Sequence, residues 1–253
     1  MNYCMDCGTK LTLKDCPPDG LMPYCPHCEK FFFPRFNSAI STVILNCEQD
    51  KTLLIQQYGR PQYILVAGYI NKGENANTAL CREVKEEVDL NVIRYQYNEN
   101  QYFEKSETLI HNFISIVQGD EVHLTSEVDS AAWFSLEDGW KTIRPHSLAK
   151  YFYGLAMHKC GHTDMMLQYE ENRIYCLDGY DNLCLELCMP LVEGIPTFTH
   201  TFVDPSLRGL GLANTLMEKA YERFKQEGIK GKATCSYALR WFEKHPEKQD
   251  ILF

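Results

Sequence analysis

The stretch "GYINKGENANTALCREVKEEVDL", residues 68 to 90, decides how the surrounding chain is read. Residues 76 to 88 have helical composition, with Ala79, Leu80, Val84 and Val88 on an inward face. On such a helix Glu83 and Glu87 stand four apart and Glu86 three from Glu83, so the three carboxylates project from one side. Arg82 lies four before Glu86 and can hold that carboxylate in one rotamer. Glu74, in the loop before the helix, can reach the same place. Clustered carboxylates repel unless a cation lies among them, and hard oxygen donors select Mg²⁺ or Mn²⁺. Such ions neutralise a diphosphate, polarise phosphorus and activate water. For "REVKEEV" alone, a solvated charge-rich helix face is the competing explanation.

The whole spacing is more specific. Gly68, Glu74, Arg82-Glu83, Val84, Glu86-Glu87 and Leu90 resemble the Nudix box, G-x5-E-x7-R-E-U-x-E-E-x-G-U, at every position but the last glycine, which is Asp89. The resemblance implies that Glu83, Glu86 and Glu87 are metal ligands, one of them the base, and that Arg82 and Glu74 orient them. Asp89 falls after the ligands, where the helix must stop. It is expected to adopt the left-handed conformation that glycine takes most easily, at a cost of roughly 1 kcal/mol.

Upstream, Cys4-x2-Cys7 and Cys25-x2-Cys28 form two tight pairs. Four soft ligands at this spacing suit tetrahedral Zn²⁺ in a closed structural site, and metal would supply folding energy that so short a segment lacks. Residues 1–36 are therefore expected to form a zinc ribbon, structural or dimer-forming. A ribbon followed directly by such a domain, residues 37–156, resembles the NADH pyrophosphatase branch of the Nudix family. That likeness implies an α/β/α sandwich with a mixed sheet. It also implies a further metal ligand, Glu127, six residues before Trp133. Tyr69 would stack on a base or nicotinamide ring, and Ala149 in "RPHSLA" would help close the pocket. The branch's S-Q-P-W-P-F-P element is replaced by "NQYFEKS", which keeps Gln101 and Phe103. The implied substrates are NADH, NAD, ADP-ribose or a related dinucleotide.

Residues 160–253 are expected to form a second mixed α/β domain after a linker, "CGHTD". Strands are predicted at "DMMLQYE", "NLCLELCMPL" and "TFTHTFV", followed by the helix "GLANTLMEKAYERFKQEG". Between strand and helix, Arg208, Gly209, Gly211 and Ala213 form a glycine loop whose N–H groups can approach phosphate oxygens. "VDPSLRGLGLA" resembles the acyl-CoA pyrophosphate loop of GNAT acetyltransferases, and the ending from Cys235 resembles small GNAT-like proteins that close on "HPE". The resemblance implies an acetyl-CoA site with Cys235 near the acyl thioester, as nucleophile or as pocket lining. His158, Cys160 and His162 alternate in the linker, but they lack a fourth metal ligand.

Composition is that of a folded protein, with 253 residues, 45% hydrophobic and 23% charged, and a net charge of −9, while the order of predicted elements gives the mixed α+β class. No apolar run is long enough to span a bilayer, and "MNYCMDCG" lacks the features of a signal peptide, so a cytoplasmic location is expected. The acidic balance disfavours nucleic acid and suits a small-molecule nucleotide partner with divalent cations. A homodimer would fit the ribbon. Three functions compete: a hydrolase that also transfers acyl groups, a hydrolase whose second domain only binds CoA or a partner, and a nucleotide-binding protein without turnover.

Overall fold

The computed structural model describes residues 2–253, which form two compact units. The first comprises the residues up to Ser38 together with Tyr102–Leu109. Strands β1 (Thr12–Asp15), β2 (Leu21–Cys25) and β3 (Lys30–Phe31) make its antiparallel sheet, Thr12 facing Tyr24 and Tyr24 facing Phe31. Among the described residues its apolar core is Cys4, Cys25 and Phe32, with Leu11 and Cys28 packed against them. So small a core cannot offset the entropy of ordering the segment without a further tie.

The second unit holds Ala39–Gln101 and Ile110–Phe253. In chain order come β4 (Asn37–Leu45), β5 (Lys51–Gln56), β6 (Val66–Tyr69), α1 (Ala76–Val88), β7 (Asn91–Phe103), β8 (Thr108–Gln118), β9 (Ser130–Ser135), α2 (Leu136–Thr142) and α3 (Leu148–Lys159). The sheet runs β7-β8-β4-β5-β9, with β6 paired to β4. Its inner strands are buried on both faces: Ala39 to Leu45 are buried without a break, the hydroxyls of Ser41 and Thr42 hydrogen-bonded to Asn112 and Ser115. Ile40, Ile44, Leu53, Ile55, Phe113 and Val117 point towards α1, whereas Val43, Leu45, Leu54, Ile114 and Ile116 point towards α3. Two-residue alternation thus puts one helix layer on each face, a sandwich of helix, sheet and helix.

After α3 follow β10 (Gln168–Tyr169), β11 (Arg173–Leu177), β12 (Leu183–Cys188), β13 (Leu191–Val192), β14 (Ile195–Phe198), β15 (His200–Val203), α4 (Leu212–Glu227), β16 (Lys232–Ala233) and α5 (Ser236–Lys244). They make two sheets, β10-β11-β12-β15 and β13-β14-β16. The expected mixed α+β class holds throughout.

Several local expectations change. "DMMLQYE" is a strand only at Gln168–Tyr169; Asp164–Met166 belong to a 3-10 turn, Thr163–Met166, with Met166 buried in the same cluster as α3. "RIYCL" forms β11, which sequence reasoning passes over. "TFTHTFV" belongs to two sheets: β14 pairs parallel with β16, then beyond Thr199 β15 pairs antiparallel with β12. The largest revision concerns the "CGHTD" linker that follows α3. Phe152 to His158 are buried without interruption, and Thr163 is buried too. One apolar cluster runs from Val43 and Leu54 through Phe152 and Met157 to Ile174, Leu187, Phe198 and Phe242. From Phe152 to His158 α3 presents no solvent face, because it is covered on both sides. None of the helices among the described residues is long and apolar enough to cross a membrane.

Candidate active site

Helix α1 spans the predicted residues. Asn75 starts it by accepting a hydrogen bond from the Thr78 N–H at 2.9 Å. Asp89 ends it at φ 57° and ψ 24°, left-handed as expected, and donates its N–H to the Lys85 carbonyl at 3.1 Å. The Lys85 ammonium lies 2.5 Å from its carboxylate. That pairing lowers the Asp89 carboxyl below its ordinary range.

Arg82 is the hub of the cluster. Its Nε and Nη2 donate to the two oxygens of Glu74, each at 2.9 Å, in a bidentate pair. Nη1 donates at 2.8 Å to both Glu83 and Glu86, and Nη2 also reaches the Tyr69 carbonyl at 2.9 Å. The pair with Arg82 depresses Glu74. Burial raises Glu83 in spite of the same guanidinium.

Glu87 is the deepest carboxylate, only 3% exposed. The Gln57 amide donates to its Oε1 at 2.8 Å, and Oε2 is buried with no hydrogen-bond partner among the described residues. Burial, reinforced by the charges of Glu83 and Glu127, pushes its carboxyl up to about 7. An orphaned buried carboxylate oxygen beside further carboxylates is what a hard cation would satisfy.

Gly68 answers a close approach. In β6 it faces Ile40, and a Cβ placed there would lie 1.9 Å from the Glu83 carboxyl carbon. The site therefore requires glycine at the start of the motif, for reasons of space and not of backbone twist. Glu127 is exposed and shares a shallow cleft with Glu86, Lys85 and His123. Among these groups the structure brings Glu74, Arg82, Glu83, Glu86 and Glu87 into one cluster with Glu127 at its rim. Tyr69 is exposed at the end of β6, Gln101 is exposed on β7, and half-buried Ala149 lies in the first turn of α3. Phe103 ends β7 within the first compact unit. Gln57 and Gly68 are the residues whose site contacts sequence reasoning left unassigned. Gly68 had a signal, as the first position of the motif; Gln57 had none.

The NUDIX domain family model matches residues 35–152. The chain contains a Nudix domain. A second model, of the GCN5-related N-acetyl-transferase, matches residues 191–251. The chain is 28% identical over 169 residues to a Pseudomonas fluorescens protein named NAD-capped RNA hydrolase NudC, covering 65% of this chain and 59% of that one. A Pseudomonas aeruginosa protein of the same name is 29% identical over 138 residues, covering 53% and 48%. The chain thus spans about half the length of the curated relatives it matches. Among solved structures, a Nudix hydrolase from Nitrosomonas europaea is 19% identical with a TM-score of 0.46, covering 60% of this chain and 90% of its own.

Two further groups flank the Nudix domain. In the first compact unit the four cysteine sulfurs lie together, Cys4 to Cys28 at 3.9 Å and Cys7 to Cys25 at 3.6 Å. Tetrahedral ligands at a Zn–S distance of about 2.3 Å stand roughly 3.8 Å apart, so the four thiols fit zinc. In the acetyltransferase-like part, Gly209 (φ 86°) and Gly211 (φ 76°) both take left-handed backbone and lead into α4, with exposed Arg208 before them and Ala213 in its first turn. Cys235 stands at the N-terminus of α5, its sulfur 3.5 Å from the Thr201 hydroxyl, where the chain crosses between the two sheets. Burial opposes its ionisation, yet the Thr201 hydroxyl and the N–H groups of Ala238 and Tyr237 leave the thiol lowered overall.

Proposed function

We propose that the chain is a divalent-cation-dependent pyrophosphohydrolase acting on a nucleoside diphosphate joined to a second moiety, of the NAD, NADH or ADP-ribose kind. The observation that carries this is the buried Glu87 Oε2, without a hydrogen-bond partner among the described residues, within a carboxylate cluster that Arg82 holds in register. Glu83, Glu86, Glu87 and Glu127 would hold Mg²⁺ or Mn²⁺, which when bound neutralises diphosphate charge and lowers the pKa of water. Arg82 fixes the rotamers of Glu83 and Glu86, and Glu74 fixes Arg82. One of the glutamates accepts the proton of the attacking water. Tyr69 offers an exposed ring for stacking on a base or nicotinamide, with Gln101, Phe103 and Ala149 as the other substrate-facing candidates. The relatives' shared name adds an NAD-type end carried on RNA to the substrates worth testing, although a net charge of −9 gives RNA no general electrostatic footing.

Residues 191–251 would bind an acyl-CoA, with the pyrophosphate at Arg208, Gly209, Gly211 and Ala213 and the thioester towards Cys235. The open left-handed loop before a 16-residue helix supports this. Cys4, Cys7, Cys25 and Cys28 would hold a structural Zn²⁺.

A screen of NADH, NAD, ADP-ribose, FAD, CoA, nucleoside triphosphates and NAD-capped RNA with Mg²⁺ or Mn²⁺ tests the first activity. Glu86→Gln/Glu87→Gln should lower the rate on the best substrate by at least about a thousandfold, as expected for loss of metal-held charge stabilisation. A double variant as fast as wild type would refute the metal site. Calorimetric binding of acetyl-CoA that weakens in Arg208→Ala would support the second site, and no binding to the intact protein would remove it.

A further inference from the structure

The core shared by the Nudix domain and the acetyltransferase-like sheet contains a polar cluster that neither activity uses. His158, near the end of α3, Cys176 on β11 and Cys184 on β12 are all buried, with donor atoms within 4.8 Å of one another. His158 Nε2 lies 4.0 Å from the Cys184 sulfur. Its Nδ1 is 3.0 Å from the buried Thr163 hydroxyl, a partner that can hold the proton on Nδ1 and leave Nε2 as a free donor. The remaining contacts of the two thiols are weak ones to carbonyls, Cys184 to Cys176 at 3.3 Å and Cys176 to Leu177 at 3.5 Å.

The strand geometry that joins the thiols is irregular. Cys176 pairs with Leu185, but Leu177 pairs with Leu183, so Cys184 is the extra residue of a bulge. In a regular ladder Cys184 and Leu185 would point to opposite faces. Here both are buried, and the bulge turns Cys184 to the side of Cys176. Without that register shift, one of the three donors would face away.

We propose that His158, Cys176 and Cys184 form a second zinc site of this chain, holding Zn²⁺ with two thiolates and one imidazole. Such donors are borderline to soft and select a transition metal over Mg²⁺ or Mn²⁺. Zinc with Zn–S of about 2.3 Å and Zn–N of about 2.0 Å needs donors roughly 3.5 to 3.8 Å apart, a contraction of at most about 1.3 Å from the present spacing. Binding releases the thiol protons to solvent, so the bound ion faces two negative ligands and one neutral one. A cleft of about 180 Å³, lined by His158 and Cys184 together with Tyr151, Asp178 and Asp204, adjoins the cluster. It leaves the fourth position to water or a small ligand. The ion would tie α3 to the β11–β12 hairpin across the seam of the two domains. The site is chemically separate from both the four-cysteine ribbon and the glutamate cluster.

The test counts zinc in the intact full-length protein after incubation with ZnCl₂ and desalting through a weak chelator. Wild type should retain about two ions per chain, one at the ribbon and one here, and Cys184→Ala and His158→Ala should each retain about one. X-ray absorption of the wild-type zinc should show imidazole scattering besides sulfur, a readout that does not depend on either variant folding. One zinc per chain in an all-sulfur environment would overturn the proposal. So would two ions that survive in both variants.

Discussion

At the scale of single residues, Gly68 and Glu87 carry the sharpest consequences. A methyl group at position 68 would collide with the Glu83 carboxyl, which is backed by the Arg82 guanidinium and cannot simply swing away. Gly68→Ala should therefore lower kcat/KM at least about tenfold, equivalent to about 1.4 kcal/mol, and raise the metal concentration needed for half-maximal rate. Steady-state assays at several Mg²⁺ concentrations would show it; an unchanged metal requirement would contradict the packing argument. Glu87 has a carboxyl pushed up to about 7 from an ordinary 4.5. In chelated protein the native state therefore keeps a proton that the unfolded chain releases, and stability should fall as pH rises from about 4.5 to 7. Glu83, also raised, adds to that slope. Glu74 and Asp89 are depressed, so their contributions are lost only below the ordinary carboxylate range and leave this window clear. Melting curves at stepped pH should show the decline in wild type, a weaker one in Glu87→Gln, and its reversal by Mg²⁺ or Mn²⁺.

At the scale of elements, α1 is legible almost to the residue. Its inward face of Ala79, Leu80, Val84 and Val88, its Asn75 start and its Asp89 stop are all local matters of periodicity and capping. The left-handed stop can be tested by itself. Asp89→Ala removes both the tolerance of that conformation and the Lys85 ion pair, and should cost about 1 kcal/mol. Asp89→Gly relieves the backbone and should equal or slightly exceed wild type, since an exposed ion pair is worth well under about 1 kcal/mol. Thermal unfolding would rank the three; alanine as stable as glycine would mean that the stop carries no strain. Elements beyond α1 were less readable. "TFTHTFV" is one apolar run in sequence, yet it serves two sheets. Which sheet each half joins depends on β12 and β16, strands that no local pattern pairs with it. "RIYCL" looks unremarkable until the bulge opposite it is known.

At the scale of the molecule, the apolar cluster that runs through α3 joins what sequence reasoning separates into residues 37–156 and 160–253. Phe152, 1% exposed, sits in its middle. Phe152→Ala should destabilise the second compact unit by about 3–5 kcal/mol and lower the melting of both halves together. Calorimetry should record one transition for the second compact unit in wild type and in the variant. Two separated transitions would mean that the halves fold independently.

The sequence by itself determined the Nudix motif, the cysteine pairs and the glycine loop before α4, because each rests on residues close in the chain whose spacing the chemistry dictates. It also foretold the left-handed turn at Asp89. Only the tertiary structure decided that the Gln57 amide holds Glu87, that Gly68 clears room for Glu83, and that "CGHTD" lies against a core instead of spanning a gap. It also decided that His158 meets Cys176 and Cys184, where the linker alone offered His158, Cys160 and His162. These are meetings between residues far apart in sequence. They arise from strand register, a bulge and the burial of α3 on both sides, and none of these leaves a local pattern to read.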